Sequence, residues 1–229
     1  AILCATTTPQ PLKFIYKLNL KIKFNEMTGL LILSGGKSSR LKDKLFLKIY
    51  DKKDKKEKEI LRFVYDSFKN FEFKERCIAI KSFQRERIEK IFENEIKNKN
   101  LKILIDDYDE FAPIYGILNM EKMQEEEIFL VAGDSLFAGK IYEKIMKFKE
   151  KIKDYDAIVP KHEFIEPLNS LYRKDKILNS CKISIKNKKF SIKDALSLLN
   201  VYYVEFHKDE FLNINTKDDF EKIKEKFKT

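Results

Sequence analysis

Cysteine is scarce in this chain of 229 residues, and the three present, Cys4, Cys77 and Cys181, are far apart with no C-x-x-C pair among them. That spacing argues against a thiolate zinc site and a disulfide framework, and it suits a reducing cytoplasm. Histidine is scarcer still. His162 and His207 are too few for a histidine-based metal centre, and each reads as an ordinary surface or strand-end residue. No stretch reaches the ~18 consecutive apolar residues of a membrane helix. A nucleic-acid module with clustered arginines and exposed aromatics is also missing.

Lysine is what the chain has in excess. Basic side chains number 47 and acidic ones 37, so the net charge is 47 − 37 = +10. A positive excess favours anionic partners. Alternation of lysine with glutamate along helical stretches also fits plain solvation of outer helix faces. Hydrophobic residues at 43% supply a sizeable core and exclude global disorder. The length suits one α/β domain.

Residues 1–26 stand apart. Pro9 and Pro11 interrupt them, and Lys13, Lys17, Lys21 and Lys23 fall inside the apolar stretch instead of before it, unlike a secretory signal. They read as a dispensable extension ahead of Met27, with one domain over 27–229.

Within that domain, strands and helices alternate. Gly29–Ser34, Cys77–Ile80, Lys102–Ile105, Ile128–Ala132 and Asp156–Val159 are short apolar runs of the buried parallel type. Helices are expected over Ile60–Phe71, Phe83–Ile96, Pro113–Met123 and Ile141–Phe148, and the charged segment Asp51–Lys58 reads as a surface turn. Beyond Pro160 the expected elements are strands over Leu168–Arg173 and Val201–Phe206, and helices over Ile192–Leu199 and Phe220–Phe227. Thr216–Asp219 would form a capping box for the last helix. The pattern predicts a single doubly wound, mostly parallel sheet flanked by helices. Ligands of such sheets sit at the strands' carboxyl ends. Gly35-Gly36, Asp106-Asp107 and Asp134 all fall there.

The loop Leu33-Ser-Gly-Gly-Lys-Ser-Ser-Arg40 follows the first strand. Its glycines permit close approach of backbone N–H groups to a phosphate or base, and its cations balance phosphate charge. It is no P-loop, which needs a glycine where Leu31 stands, and its adjacent glycines do not fit the dinucleotide fingerprint. A generic glycine turn explains it equally well. Asp134 closes an apolar strand, where a carboxylate needs a cation, donors or water. Mg²⁺ bridging to phosphate would serve, and so would an N-cap role for the next helix.

Taken together, these blocks resemble the molybdenum cofactor guanylyltransferase family. Leu33–Arg40 with Asp43-Lys44 is similar to its L-A-G-G-x-S-x-R-M-G-x-D-K signature. Asp106-Asp-Tyr…Pro113-Ile-Tyr-Gly116 resembles E-D…G-P-L-x-G, and Ala132-Gly-Asp134 resembles C-D-x-P. Glu166-Pro-Leu-Asn-Ser-Leu-Tyr172 resembles E-P-L-x-A-L-Y, and Phe211-Leu-Asn-Ile-Asn-Thr216 resembles F-x-N-x-N-T-P. The last two blocks point to the molybdenum branch. The chain departs from the pattern in a shorter Arg40–Lys44 stretch without its glycine, in Ala112 and Leu136, and in Lys81, where some members carry asparagine.

The resemblance implies a nucleotide-diphospho-sugar-transferase-like fold and transfer of GMP from GTP to molybdopterin with Mg²⁺. It places Leu33, Ser34, Gly35, Lys44 and Asp107 on the nucleotide, and Asp134 on nucleotide and metal. Arg40 would balance the triphosphate, with Arg40, Lys44 and Asp134 serving catalysis. Asn213 and Asn215 would face the pterin. Residues 27–160 would form the nucleotide-binding half and 161–229 the acceptor half. The implied partners are small anionic substrates, with neither nucleic acid nor membrane. The expected state is a cytoplasmic monomer, in passing contact with proteins that deliver molybdopterin or accept the product.

Overall fold

A computed structural model describes residues 28–35, 41, 43–110, 112–211, 214 and 216–228. The proposed 1–26 extension lies outside the described residues.

The chain begins with β1 (Thr28–Leu33), whose Leu30, Leu31 and Ile32 are fully buried. Leu30 and Ile32 point into one apolar cluster and Leu31 into the other, so this strand is covered on both faces. Then come β2 (Lys48–Asp51), β3 (Lys56–Glu59), α1 (Ile60–Asp66), β4 (Glu75–Ile80), α2 (Arg85–Ile91), α3 (Glu93–Lys97) and β5 (Lys102–Ile105). After these the order is α4 (Pro113–Leu118), β6 (Glu127–Ala132), α5 (Ala138–Met146), β7 (Ala157–Lys161) and β8 (Asn169–Arg173). The chain finishes with α6 (Lys174–Lys186), α7 (Ile192–Leu196), β9 (Val201–Glu205) and α8 (Lys217–Lys228).

Seven strands form one sheet in the order β5-β4-β1-β6-β8-β7-β9. It is mostly parallel. Only β8 runs against its neighbours, β6 and β7. The strand order reverses beside β1: the chain steps outward through β4 to β5 on one side, then returns to place β6 on the other. A crevice at the carboxyl ends of the strands is expected at such a switch point. Apolar residues of α1, α2, α5 and α8 cover one face, and those of α4, α6 and α7 the other.

Four local expectations differ from the structure. The charged segment does hold an exposed turn at 52–55, but the turn joins two paired strands in an antiparallel hairpin, β2–β3, with Lys48 opposite Glu59 and Asp51 opposite Lys56. Cross-strand charge pairing and the burial of Ile49 hold it, and neither produces an apolar alternation in sequence. The helix expected over 83–96 breaks at Phe92 (φ −115°, ψ 24°), and the one expected to run to Met123 ends its α-helical part at Leu118. The helix α6 was not foreseen because half of its buried stripe, Ile177, Ser180, Cys181 and Ser184, is serine. The last helix does begin with a capping box: Thr216 N–H donates to Asp219 Oδ2 (2.9 Å) and Asp219 N–H to Thr216 Oγ1 (3.1 Å).

Candidate active site

A cavity of about 180 Å3 opens at the switch point, between the carboxyl ends of β1, β4 and β6. Its floor is the end of β1. Ser34 is buried, and both its N–H and its hydroxyl donate to Ala79 O of β4 (2.9 Å each). Gln84 Nε2 donates to Ser34 O (3.0 Å), so the start of the glycine loop is held by the neighbouring strand and turn. Leu33, Ser34 and Gly35 all line the cavity.

The wall on the β6 side is Ala132-Gly133-Asp134. Gly133 N–H donates to Leu33 O (2.9 Å), and a Cβ at Gly133 would stand 3.0 Å from that same oxygen. Glycine thus lets β6 close against β1 and aims Asp134 across the mouth. Lys44 Nζ donates to Asp134 Oδ2, with both side chains about one-sixth exposed. Lys44 opens a short 3-10 turn anchored by buried Leu45 and Phe46. Asp43 before it adopts the left-handed conformation (φ 56°), which aspartate tolerates better than most residues.

On the far side stands Asp106, not Asp107. Asp106 is buried, lines the cavity and pairs with Lys81 Nζ at 3.1 Å. Lys81 Nζ also donates to Tyr108 O and to Glu110 O (3.0 Å), tying down the loop after β5. Asp107 points to solvent, 74% exposed, beside Lys122 (3.1 Å). Asp107, expected at the nucleotide from sequence, does not line this cavity, and its neighbour Asp106 does. Strand alternation carries the reason: Asp106 continues the face of buried Leu104, two residues before it, and Asp107 the opposite one.

Leu33, Ser34, Gly35, Lys44 and Asp134 are brought together at this cavity. Arg40, Asn213 and Asn215 lie outside the described residues. Sequence reasoning missed Asp106, Gly133 and Leu168 as lining residues, and the Lys81 clamp. A larger groove of about 790 Å3 lies at the amino-terminal ends of β4 and β5, and two ion pairs close within it (Arg62 to Glu95 and Lys102 to Glu75, each 2.6 Å). It is also on the wrong edge of the sheet for a ligand crevice.

Among the described residues no three ligating side chains stand together. Two carboxylates line the cavity, Asp106 paired with Lys81 and Asp134 paired with Lys44, and Asp134 at the mouth is the one that could hold a cation. That fits Mg²⁺, which takes one or two carboxylates and completes its shell with phosphate oxygens and water.

A family model described as "MobA-like NTP transferase domain" matches residues 30–188. The chain belongs to this family. It is a nucleotidyltransferase, and the cavity sits in the matched segment. Relatives of the MobA-like chain include the probable molybdenum cofactor guanylyltransferase of Aquifex aeolicus, 29% identical over 197 residues, or 84% of this chain and 88% of that protein. The molybdenum cofactor guanylyltransferase of Campylobacter jejuni (strain RM1221) is 27% identical over 213 residues, 90% of this chain and all of that one. Among solved structures, molybdopterin-guanine dinucleotide biosynthesis protein A from Archaeoglobus fulgidus superposes with a TM-score of 0.65 at 22% identity, covering 86% and 97% of the two chains. A CMP:2-keto-3-deoxy-manno-octonic acid synthetase complexed with CTP shares the fold as well (TM-score 0.64, 12% identity, 87% and 98% covered). Among the described residues no helix is long and apolar enough to cross a membrane.

Proposed function

We propose that this MobA-like chain transfers GMP from GTP to the terminal phosphate of molybdopterin. An acceptor phosphate oxygen attacks the α-phosphorus of GTP, a new P–O bond forms, the α–β bridging P–O bond breaks and pyrophosphate leaves. Two polyanions meeting at one cavity give the excess of lysine a use.

The observation that carries this reading is the Lys44–Asp134 pair across the mouth of the switch-point cavity. Lys44 supplies a cation where the phosphates of a nucleotide lying along the glycine loop would pass. Asp134 is the residue that would hold Mg²⁺, whose charge neutralises phosphate oxygens during transfer. No protein nucleophile is required, so the residues act by positioning and electrostatics. The backbone of Leu33–Gly35 and the carboxylate of Asp106 lie where a purine edge could be read, since guanine presents adjacent N–H donors that a carboxylate accepts. Arg40 is assigned to triphosphate balance, and Asn213 and Asn215 to the acceptor side. The protein acts as a monomer in the cytoplasm, with 161–229 furnishing the acceptor half.

The test is pyrophosphate release with Mg²⁺ and each of the four nucleoside triphosphates, with and without metal-loaded molybdopterin. Release with GTP that depends on the pterin is expected. Release with CTP instead would make the protein a cytidylyltransferase, and no release from folded protein would overturn the assignment.

A further inference from the structure

The segment between β7 and β8 returns to the cavity, since Leu168 lines it and Leu168 O accepts from Ala132 N–H (2.8 Å). At the tip of this segment Phe164 is 59% exposed. An aromatic ring held out in water costs free energy that a loop tip could avoid with a polar residue.

This tip is also stiff. Lys161 and Ile165 form an antiparallel bridge, and His162 N–H donates to Phe164 O (2.9 Å). Phe164 N–H donates to His162 Nδ1 (3.3 Å). With Nδ1 accepting, the ring proton sits on Nε2, which faces Glu166 Oε1 at 3.0 Å. The His162 ring packs edge-on to Phe164 (5.8 Å, 88°) and lies 5.0 Å from the ring of Phe211. His162 thus joins the turn to Glu166 on one side and, on the other, to the residue leading into 212–215. It is no ordinary strand-end histidine.

We propose that Phe164 is a stacking surface for a flat heteroaromatic ring of the acceptor, with His162 as the positioning residue that holds the turn. The inference rests on the proposed function. Its basis is that the segment carrying Phe164 runs on to Leu168, which lines the cavity on the side of the sheet away from Asp106, together with an exposed, preorganised ring. A preorganised aromatic loses little entropy on binding, and stacking accepts a planar ring without demanding one hydrogen-bond pattern.

The experiment compares wild type with Phe164→Ala, Phe164→Tyr and His162→Ala, using GTP and molybdopterin. Direct binding is read by isothermal titration with metal-free molybdopterin. Phe164→Ala is expected to raise the acceptor KM and Kd about tenfold or more, the scale of one lost base–aromatic stack, with the KM for GTP and the melting temperature unchanged. Phe164→Tyr is expected to restore wild-type values. His162→Ala is expected to shift the same two constants less. Unchanged acceptor constants in Phe164→Ala, in an enzyme that uses molybdopterin, would overturn the stacking surface and leave the function standing. Wild type that neither binds molybdopterin nor releases pyrophosphate with it would overturn both.

Discussion

Lys44 and Asp134, ninety positions apart in sequence, meet across the mouth of the cavity, the ammonium donating to Oδ2 of the carboxylate. Each arrives from a different strand end, Lys44 on the turn after the glycine loop and Asp134 one residue beyond Gly133. If the proposed role is right, Asp134→Asn lowers kcat about 100-fold or more while the melting temperature stays near that of wild type. Lys44→Ala raises the KM for the triphosphate, and the double variant loses less than the two single losses multiplied, because the pair acts as a unit. Steady-state kinetics on the purified variants settle it, and near-normal turnover of Asp134→Asn refutes the role.

The two adjacent aspartates offer an internal control. Asp106 faces the cavity and Asp107 faces solvent, so only the first should matter to nucleotide binding. Asp106→Asn is expected to weaken GTP by about 10-fold or more, as for loss of a hydrogen bond to a charged group. Asp107→Asn should be silent. Isothermal titration with GTP distinguishes them, and the reverse pattern would return the role to Asp107.

Lys58 is 4% exposed, and its ammonium is shared among Asp51 (2.8 Å), Asp66 (2.5 Å) and Asp54, fastening the β2–β3 hairpin to α1. Burial pulls its pKa down, but the three carboxylates outweigh burial and the net shift is upward from 10.5. Burial likewise pushes Asp51 up, and the bonds from Lys58 and from the backbone of Lys53 and Asp54 hold it below 3.8. The bond from Lys58 holds Asp54 below 3.8 as well. The carboxylates bind fewer protons folded than unfolded, so their contribution is present above pH 3.8 and lost as pH falls through the folded values. The contribution of Lys58 is full below pH 10.5 and lost as pH rises through its higher folded value. Lys58→Met should cost about 2–3 kcal/mol at neutral pH, under the range for a fully buried pair because the carboxylates keep some water. Urea unfolding should show that deficit shrinking below pH 3.8. A deficit constant across that range would contradict the staple.

Cys77 and Cys181 are fully buried, and burial pushes both thiols up to about 12. At pH 8 only about one molecule in 10⁴ would carry either thiolate, and solvent does not reach it. Alkylation followed by peptide mass spectrometry should leave both unmodified in the native protein and label both in urea. Rapid native labelling would show that the sheet opens locally.

Much of this protein was written in its pattern of residues. Apolar runs such as Leu30–Ile32 and Phe129–Val131 must be covered on both faces, which already specifies a parallel sheet between helices. Carboxylates and glycines at strand ends marked the edge where a ligand sits, and five spaced blocks marked the family that the matched segment bears out. The rest depended on which surfaces meet. The reversed strand β8 between β6 and β7 is a matter of topology, to which a strand's own pattern is indifferent. The hairpin around Lys58 and Ser180 in the stripe of α6 bury polar atoms whose partners come from elsewhere in the fold, so neither segment carries a clean hydrophobic period. The choice of Asp106 over Asp107, and the meetings of Lys44 with Asp134 and of His162 with Phe211, were decided by tertiary structure. Sequence chooses which way a strand turns its residues, but only packing brings distant strand ends within reach of one another.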